Sequence, residues 1–250
     1  MLGHRLVGTG SNQIVMLHGW LSDSRVFDGI LPYFDPKMYS IALVDYPGYG
    51  RSRELAGPFT IARVAAELVA LVQELSWQKA AIVGHSMGGM VILESDLQAP
   101  GLFRHGIAVT PVSASAFPLD DASMAYFRSA AQDDAALAAI FGNLTGNRHS
   151  TAFGRLAAAN CRQQTTVPAF LGYLDAWTGT IFSERVGKIA LPTTVIAGRY
   201  DGALTPEHLH GTWLKDVPKS EMKVIEGAGH YPMLETPVEL FDLIEAIVIQ

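Results

Sequence analysis

The 250-residue sequence predicts an α/β protein, with a mostly parallel central sheet, helices on both faces and an inserted helical segment. Three observations lead to that class. Short runs rich in β-branched residues recur, and most are apolar throughout rather than alternating, as in strands covered on both faces. Segments with apolar residues at three- and four-residue spacing lie between them. From about Val112 to Gly187 the alternation stops.

The runs expected as strands are Ile14–His18 (IVMLH), Tyr39–Asp45 (YSIALVD), Ala80–His85 (AAIVGH), Gly106–Thr110 (GIAVT), Thr193–Gly198 (TTVIAG) and Met222–Glu226 (MKVIE). After Thr60, a suitable N-cap, Ile61, Val64, Leu68, Leu71, Val72 and Leu75 mark one face of a helix. Near the C-terminus Thr236 and Glu239 have capping-box spacing, with Pro237 at the first helical position. Leu240, Phe241, Ile244, Ile247 and Val248 supply that helix's buried stripe. The interrupted region holds Ala-rich and polar helical stretches such as SMAYFRSAAQDDAALAAIFGNL, and it is too long for a structureless connection. Residues 1–111 and 187–250 are therefore expected to form the core domain. Residues 112–186 are expected to form a helical cap over the C-terminal edge of the sheet. There is no internal repeat and no low-complexity tract.

A hydrophobic fraction of 49% with 17% charged residues describes a chain able to bury a substantial core. No apolar run reaches the roughly 18 residues of a membrane span. The opening MLGHRLVGTGSNQ has no apolar stretch behind its basic residues, so a secretory signal is not expected. A net charge of -6, a pI near 5.7 and no Lys/Arg run argue against a nucleic-acid surface. The single cysteine, Cys161, excludes an internal disulfide and fits a reducing compartment. The expectation is a cytoplasmic protein with a small-molecule partner rather than nucleic acid or membrane; oligomeric state is not encoded in any motif.

The stretch AIVGHSMGGMV, residues 81–91, packs Gly84, Gly88 and Gly89 around Ser86. Gly84-His85-Ser86-Met87-Gly88 fits G-x-S-x-G between an expected strand and an expected helix, the context this motif requires. The turn is so sharp that the serine backbone is strained and side chains two residues away would collide. A serine hydroxyl is a poor nucleophile, so it needs a base, and the base needs an orienting acid. In this architecture they follow in the order serine, acid, histidine. TTVIAG leads through Arg199 and Tyr200 to Asp201, and MKVIE leads through Gly227-Ala228-Gly229 to His230. Room for one helix separates the two. Acyl transfer also needs backbone N–H groups aimed at the developing oxyanion. Met87, after the serine, is one candidate; Trp20, an exposed-looking aromatic after IVMLH-Gly19, is the other.

With LHGW at 17–20, DYPGYGRS at 45–52, GHSMGG at 84–89, GRYDGALTP at 198–206 and GAGHYPMLETP at 227–237, the sequence resembles the α/β-hydrolase superfamily everywhere outside the cap. Within it the chain looks like the small serine esterases with a helical cap. The HGW start and the Asp-Gly after the acid strand are similar to the pimeloyl-[acyl carrier protein] methyl ester esterase group. The resemblance implies the α/β-hydrolase fold, Ser86 as nucleophile, His230 as base, Asp201 as acid, and Trp20 and Met87 as oxyanion donors. It implies no metal and no organic cofactor. The cap carries no matching motif, so no substrate is implied.

The expected function is cleavage of carboxylic esters through an acyl-enzyme intermediate. A lactonase, a C–C bond hydrolase and a cofactor-free perhydrolase would use the same triad. A small-molecule receptor with slow, single-turnover hydrolysis is the alternative from another class. Each residue also has a plainer reading: Ser86 as a structural turn, Asp201 as an Asp-Gly turn, His230 as a capping histidine. Glu226 also ends a late strand but stands too close to His230 in sequence. His18 is expected to hydrogen-bond within its loop and His85 to fill the variable position beside the serine. Asp45 to Ser52 read as a structured turn. His208 and His210 diverge on a helix and are not expected to bind metal, and Cys161 reads as a buried apolar residue. Phe117, Tyr126, Phe127, Phe141, Phe153, Phe170, Tyr173 and Trp177 are expected to pack the cap, a few of them lining an apolar pocket.

Overall fold

The computed structural model describes residues 1–249; Gln250, the last residue of the expected core domain, lies outside them. The strands are β1 (His4–Val7), β2 (Asn12–Leu17), β3 (Tyr39–Val44), β4 (Ala80–His85), β5 (Phe103–Val109), β6 (Thr193–Gly198) and β7 (Ser220–Ile225). They form one sheet in the order β1-β3-β2-β4-β5-β6-β7. β2 to β7 run parallel, and β1 pairs antiparallel with β3, His4 opposite Val44. The six expected strands are all present. β1 falls outside them because none of its four residues is buried, Leu6 is exposed, and it shows no apolar run; the β3 edge it covers recruits it.

The helices are α1 (Ile61–Glu74), α2 (Gly88–Gln98), α3 (Asp121–Ser129), α4 (Asp134–Leu144), α5 (Thr151–Gln164), α6 (Val167–Gly179), α7 (Ser183–Val186), α8 (Pro206–Gly211), α9 (Trp213–Asp216), α10 (Pro232–Glu235) and α11 (Pro237–Val248). The Thr60 hydroxyl caps α1 by accepting from the Arg63 amide at 3.3 Å, and Ile61, Val64, Leu68, Leu71 and Val72 are buried. α11 buries the expected stripe, Leu240 to Val248. Its capping box does not form. Thr236 makes no side-chain cap bond. Its amide continues the turn of α10 by donating to the Pro232 carbonyl at 2.9 Å, and its hydroxyl turns back to the same oxygen.

Between β5 and β6 the described residues form the five helices α3 to α7 and no strand. Because β2 and β4 to β7 are parallel, the loops after β2, β4, β6 and β7 emerge at one edge of the sheet. That edge is where open α/β sheets place their ligands. Residues 18–20, 86, 201 and 230 all leave there.

Candidate active site

Ser86 sits between the end of β4 and the start of α2 with φ at +54°, a left-handed conformation that costs a non-glycine residue about 1–3 kcal/mol. The fold over-determines it. Its amide donates to the Val109 carbonyl at 2.9 Å, and its carbonyl accepts from Gly89 at 2.9 Å and Val112 at 3.0 Å. A Cβ on Gly84 would stand 2.5 Å from the Gly88 oxygen, so the turn closes only on glycine. A Cβ on Gly19 would meet the Ser86 Cβ at 3.0 Å, which shows how closely the loop after β2 approaches the serine.

Asp201 follows β6 and His230 follows β7; both are buried, and their side chains meet at 2.6 Å from Nδ1 to Oδ2. The other carboxylate oxygen, Oδ1, accepts from the Ala203 and Leu204 amides at 2.9 Å each, which aims Oδ2 at the imidazole. With Nδ1 as the donor to the carboxylate, Nε2 is the nitrogen left with a lone pair. His230 and Ser86 line the same cleft.

The Trp20 and Met87 amides have no acceptor among the described residues, while the groups around Trp20 are anchored. Its carbonyl accepts from the Tyr49 hydroxyl at 2.6 Å. Its side chain corrects the expectation of an exposed aromatic: the residue is 5% exposed. The indole Nε1 donates to the Phe170 carbonyl at 2.7 Å, and the ring packs on Phe127, Phe170 and Trp177. Helices from the β5–β6 insert supply the apolar cover that LHGW alone does not reveal.

His18 is held within its loop, Nδ1 to the Gly19 carbonyl at 2.8 Å and Nε2 accepting from the Tyr46 amide at 3.2 Å. Burial lowers its pKa. Asp45 accepts from the Ser24 and Arg51 amides at 2.7 and 2.9 Å, which shapes the turn before Ser52. Glu226 is engaged at the surface by two hydrogen bonds from Arg199. Cys161 is buried, and burial pushes its thiol up to about 11. His208 packs on Phe117 and His210 is exposed.

Sequence reasoning missed the part taken by His85. Its Nε2 donates to the His230 carbonyl at 2.8 Å, and the Thr110 hydroxyl donates to the same oxygen at 3.0 Å. Burial, with His230 adding to it, drives the His85 pKa well below 6.5 and keeps the ring neutral. Nothing in GHSMGG announces this, because the partner lies 145 residues away.

The cleft above Ser86 spans about 520 Å³, open solvent at its mouth included. Leu21, Val112, Leu119, Leu144, Ala203, Leu204 and Tyr231 line it with Trp20, and no lining residue carries a fixed charge. Of the aromatic residues between β5 and β6, Phe117, Phe127 and Trp177 reach the cleft. Phe170 and Tyr173 are buried behind it, Phe141 stacks on Tyr231, and Tyr126 is exposed.

The profile of the family described as "alpha/beta hydrolase fold" matches residues 12–237. The chain therefore belongs to the α/β-hydrolase family, and the protein is a hydrolase of that fold. It is similar to the pimeloyl-[acyl-carrier protein] methyl ester esterase of Yersinia enterocolitica, 27% identical over 251 residues that cover 96% of this chain and 94% of that one. The protein of the same name from Legionella pneumophila is 25% identical over 227 residues, 88% of each chain. Among solved structures the fold matches an esterase from Exiguobacterium antarcticum with a TM-score of 0.90, at 19% identity over 100% of this chain and 96% of that chain. It also matches the enol-lactonase from Burkholderia xenovorans LB400 with a TM-score of 0.85, at 17% identity over 100% and 96%. At these identities the structures share the fold and nothing finer.

Proposed function

We propose that the protein is a serine hydrolase that cleaves carboxylic esters of small, uncharged, largely apolar molecules through an acyl-enzyme intermediate. One observation carries this reading: Ser86, on its strained turn, opens onto the same apolar cleft as His230, whose Nδ1 is bonded to Asp201. The Ser86 Oγ attacks the ester carbonyl as His230 Nε2 takes its proton. The Trp20 and Met87 amides hold the oxyanion, and Asp201 stabilises the imidazolium. Collapse of the tetrahedral intermediate breaks the ester C–O bond, and His230 returns the proton to the leaving alcohol. Water, deprotonated by His230, then releases the acid and restores Ser86.

The lining of the cleft supports this substrate class. It has no lysine or arginine to offset a carboxylate or phosphate, so burying a charged substrate group there would be costly. The esterase names of the relatives support an ester as the bond broken. The helices of residues 112–186 act as the cap that excludes water from the cleft.

The test is hydrolysis of p-nitrophenyl esters from acetate to decanoate, beside Ser86→Ala. Sustained turnover that drops by about 10⁴-fold or more in the variant is expected. Turnover that survives in Ser86→Ala sinks the mechanism. A burst that stalls after one equivalent would turn the reading to a receptor.

A further inference from the structure

We propose that Glu235 is the positioning residue of the base loop, and that it latches the turn between α4 and α5 to His230. The inference rests on the reading of His230 as the base. Glu235 ends α10, and its side chain is 1% exposed. Its Oε2 accepts from the Gly229 amide and its Oε1 from the Tyr231 amide, both at 2.9 Å. One carboxylate thus holds the backbone on each side of His230. The loop cannot slide or rotate without breaking a charge-assisted hydrogen bond.

A carboxylate this deeply buried needs more than two neutral donors. The rest come from the turn after α4. Arg148 Nη1 and His149 Nε2 reach Oε2 at 3.1 and 2.9 Å. Arg148 also donates through Nη2 to the Gly227 carbonyl at 2.7 Å, and its guanidinium lies 4.2 Å from the centre of the Tyr200 ring, next to Asp201.

A second contact from the same turn is independent of Glu235. The Leu144 carbonyl, at the end of α4, accepts from the His230 amide at 3.1 Å and from the Gly202 amide at 3.3 Å. Three consecutive amides, 229 to 231, are therefore tied down, the middle one directly to this turn. There is no slack between the two segments: a Cβ on Gly229 would stand 2.8 Å from the Thr145 Cα. The consequence is kinetic. The α4–α5 turn moves only together with the base, so loosening it misplaces His230. Misplacement of about 1 Å costs about 100-fold in rate.

The test compares wild type, Glu235→Gln and the Arg148→Ala/His149→Ala double variant. The readouts are kcat and KM on a p-nitrophenyl ester, the rate of Ser86 labelling by a fluorophosphonate, and the downfield proton resonance of the His230–Asp201 hydrogen bond. Circular dichroism and Tm are followed alongside. Glu235→Gln turns an acceptor into a donor that faces a backbone N–H. The expected result is a fall of about 10- to 100-fold in kcat and in labelling, with KM within about twofold and the resonance displaced or broadened. The double variant keeps both carboxylate–amide bonds but frees the latch, and is expected to lose several-fold in kcat with the same unchanged KM. Should Glu235→Gln not fold, the double variant decides. Wild-type kcat and an undisturbed resonance in a folded Glu235→Gln, or in the double variant when it alone folds, overturn the proposal. If wild type itself turns over no ester, the ester reading has failed; labelling and the resonance still decide the role of Glu235.

Discussion

His85 makes stability depend on pH in a direction that its burial fixes. The ring is fully buried, with its Nε2–H spent on the His230 carbonyl and its Nδ1 without a partner among the described residues. Burial lowers its pKa well below 6.5 in the folded protein. In the unfolded chain it takes a proton near 6.5, so below that pH the unfolded state binds more protons and stability falls as pH falls. The contribution is fully present above 6.5 and is lost downward from there toward the folded pKa. A ring that stayed wholly neutral to pH 5.0 would set the upper limit, RT ln(1 + 10^1.5), a loss of about 2 kcal/mol between pH 7.5 and 5.0. Glutamine at this position keeps an N–H donor for the His230 carbonyl and removes the titration. Urea unfolding followed by tryptophan fluorescence at the two pH values should therefore show that His85→Gln loses less stability than wild type on acidification, by up to about 2 kcal/mol. His18, also lowered by burial, is present in both proteins and cancels. Equal pH dependence in the two proteins would refute the argument, since it would require His85 to be protonated or solvated in the folded state.

Three further substitutions, one of them a control, test the turn and the proposed triad. Gly84→Ala places a Cβ 2.5 Å from the Gly88 oxygen and 2.7 Å from its carbon, and should cost about 2 kcal/mol. For a chain of this size that lowers Tm by about 4–8 °C. Gly187→Ala, with nothing within 4 Å of the new Cβ, should leave Tm unchanged; equal melting of the two variants would disprove the crowding argument. Asp201→Asn puts an amide where Nδ1 needs an acceptor, and should lower kcat by about 10⁴-fold with the circular dichroism spectrum intact. A loss under tenfold would mean that another group orients His230.

The α/β class was legible because its signals are local. Most of the six expected strands announce themselves by continuous apolar runs, and α1 by its cap and its three-to-four spacing. The positions of Ser86, Asp201 and His230 were legible for the same reason, since each follows a run that reads as a strand end. β1 was not, because four residues, none of them buried, carry no pattern until β3 offers an edge. The Thr236 capping box was misleading: the tetrapeptide satisfied the spacing, but α10 claimed the residue first.

The chain alone prescribes which segments become strands and helices, and which reactive side chains end up at strand ends, because periodicity and turn chemistry act over a few residues. Contacts between distant segments belong to the folded molecule. The Trp20 indole finds Phe170 across 150 residues, His85 finds His230 across 145, and Glu235 finds Arg148 across 87. No local rule encodes such pairs. They form because packing the helices on the sheet brings buried polar groups together, and a buried donor or carboxylate gains most where it meets a partner.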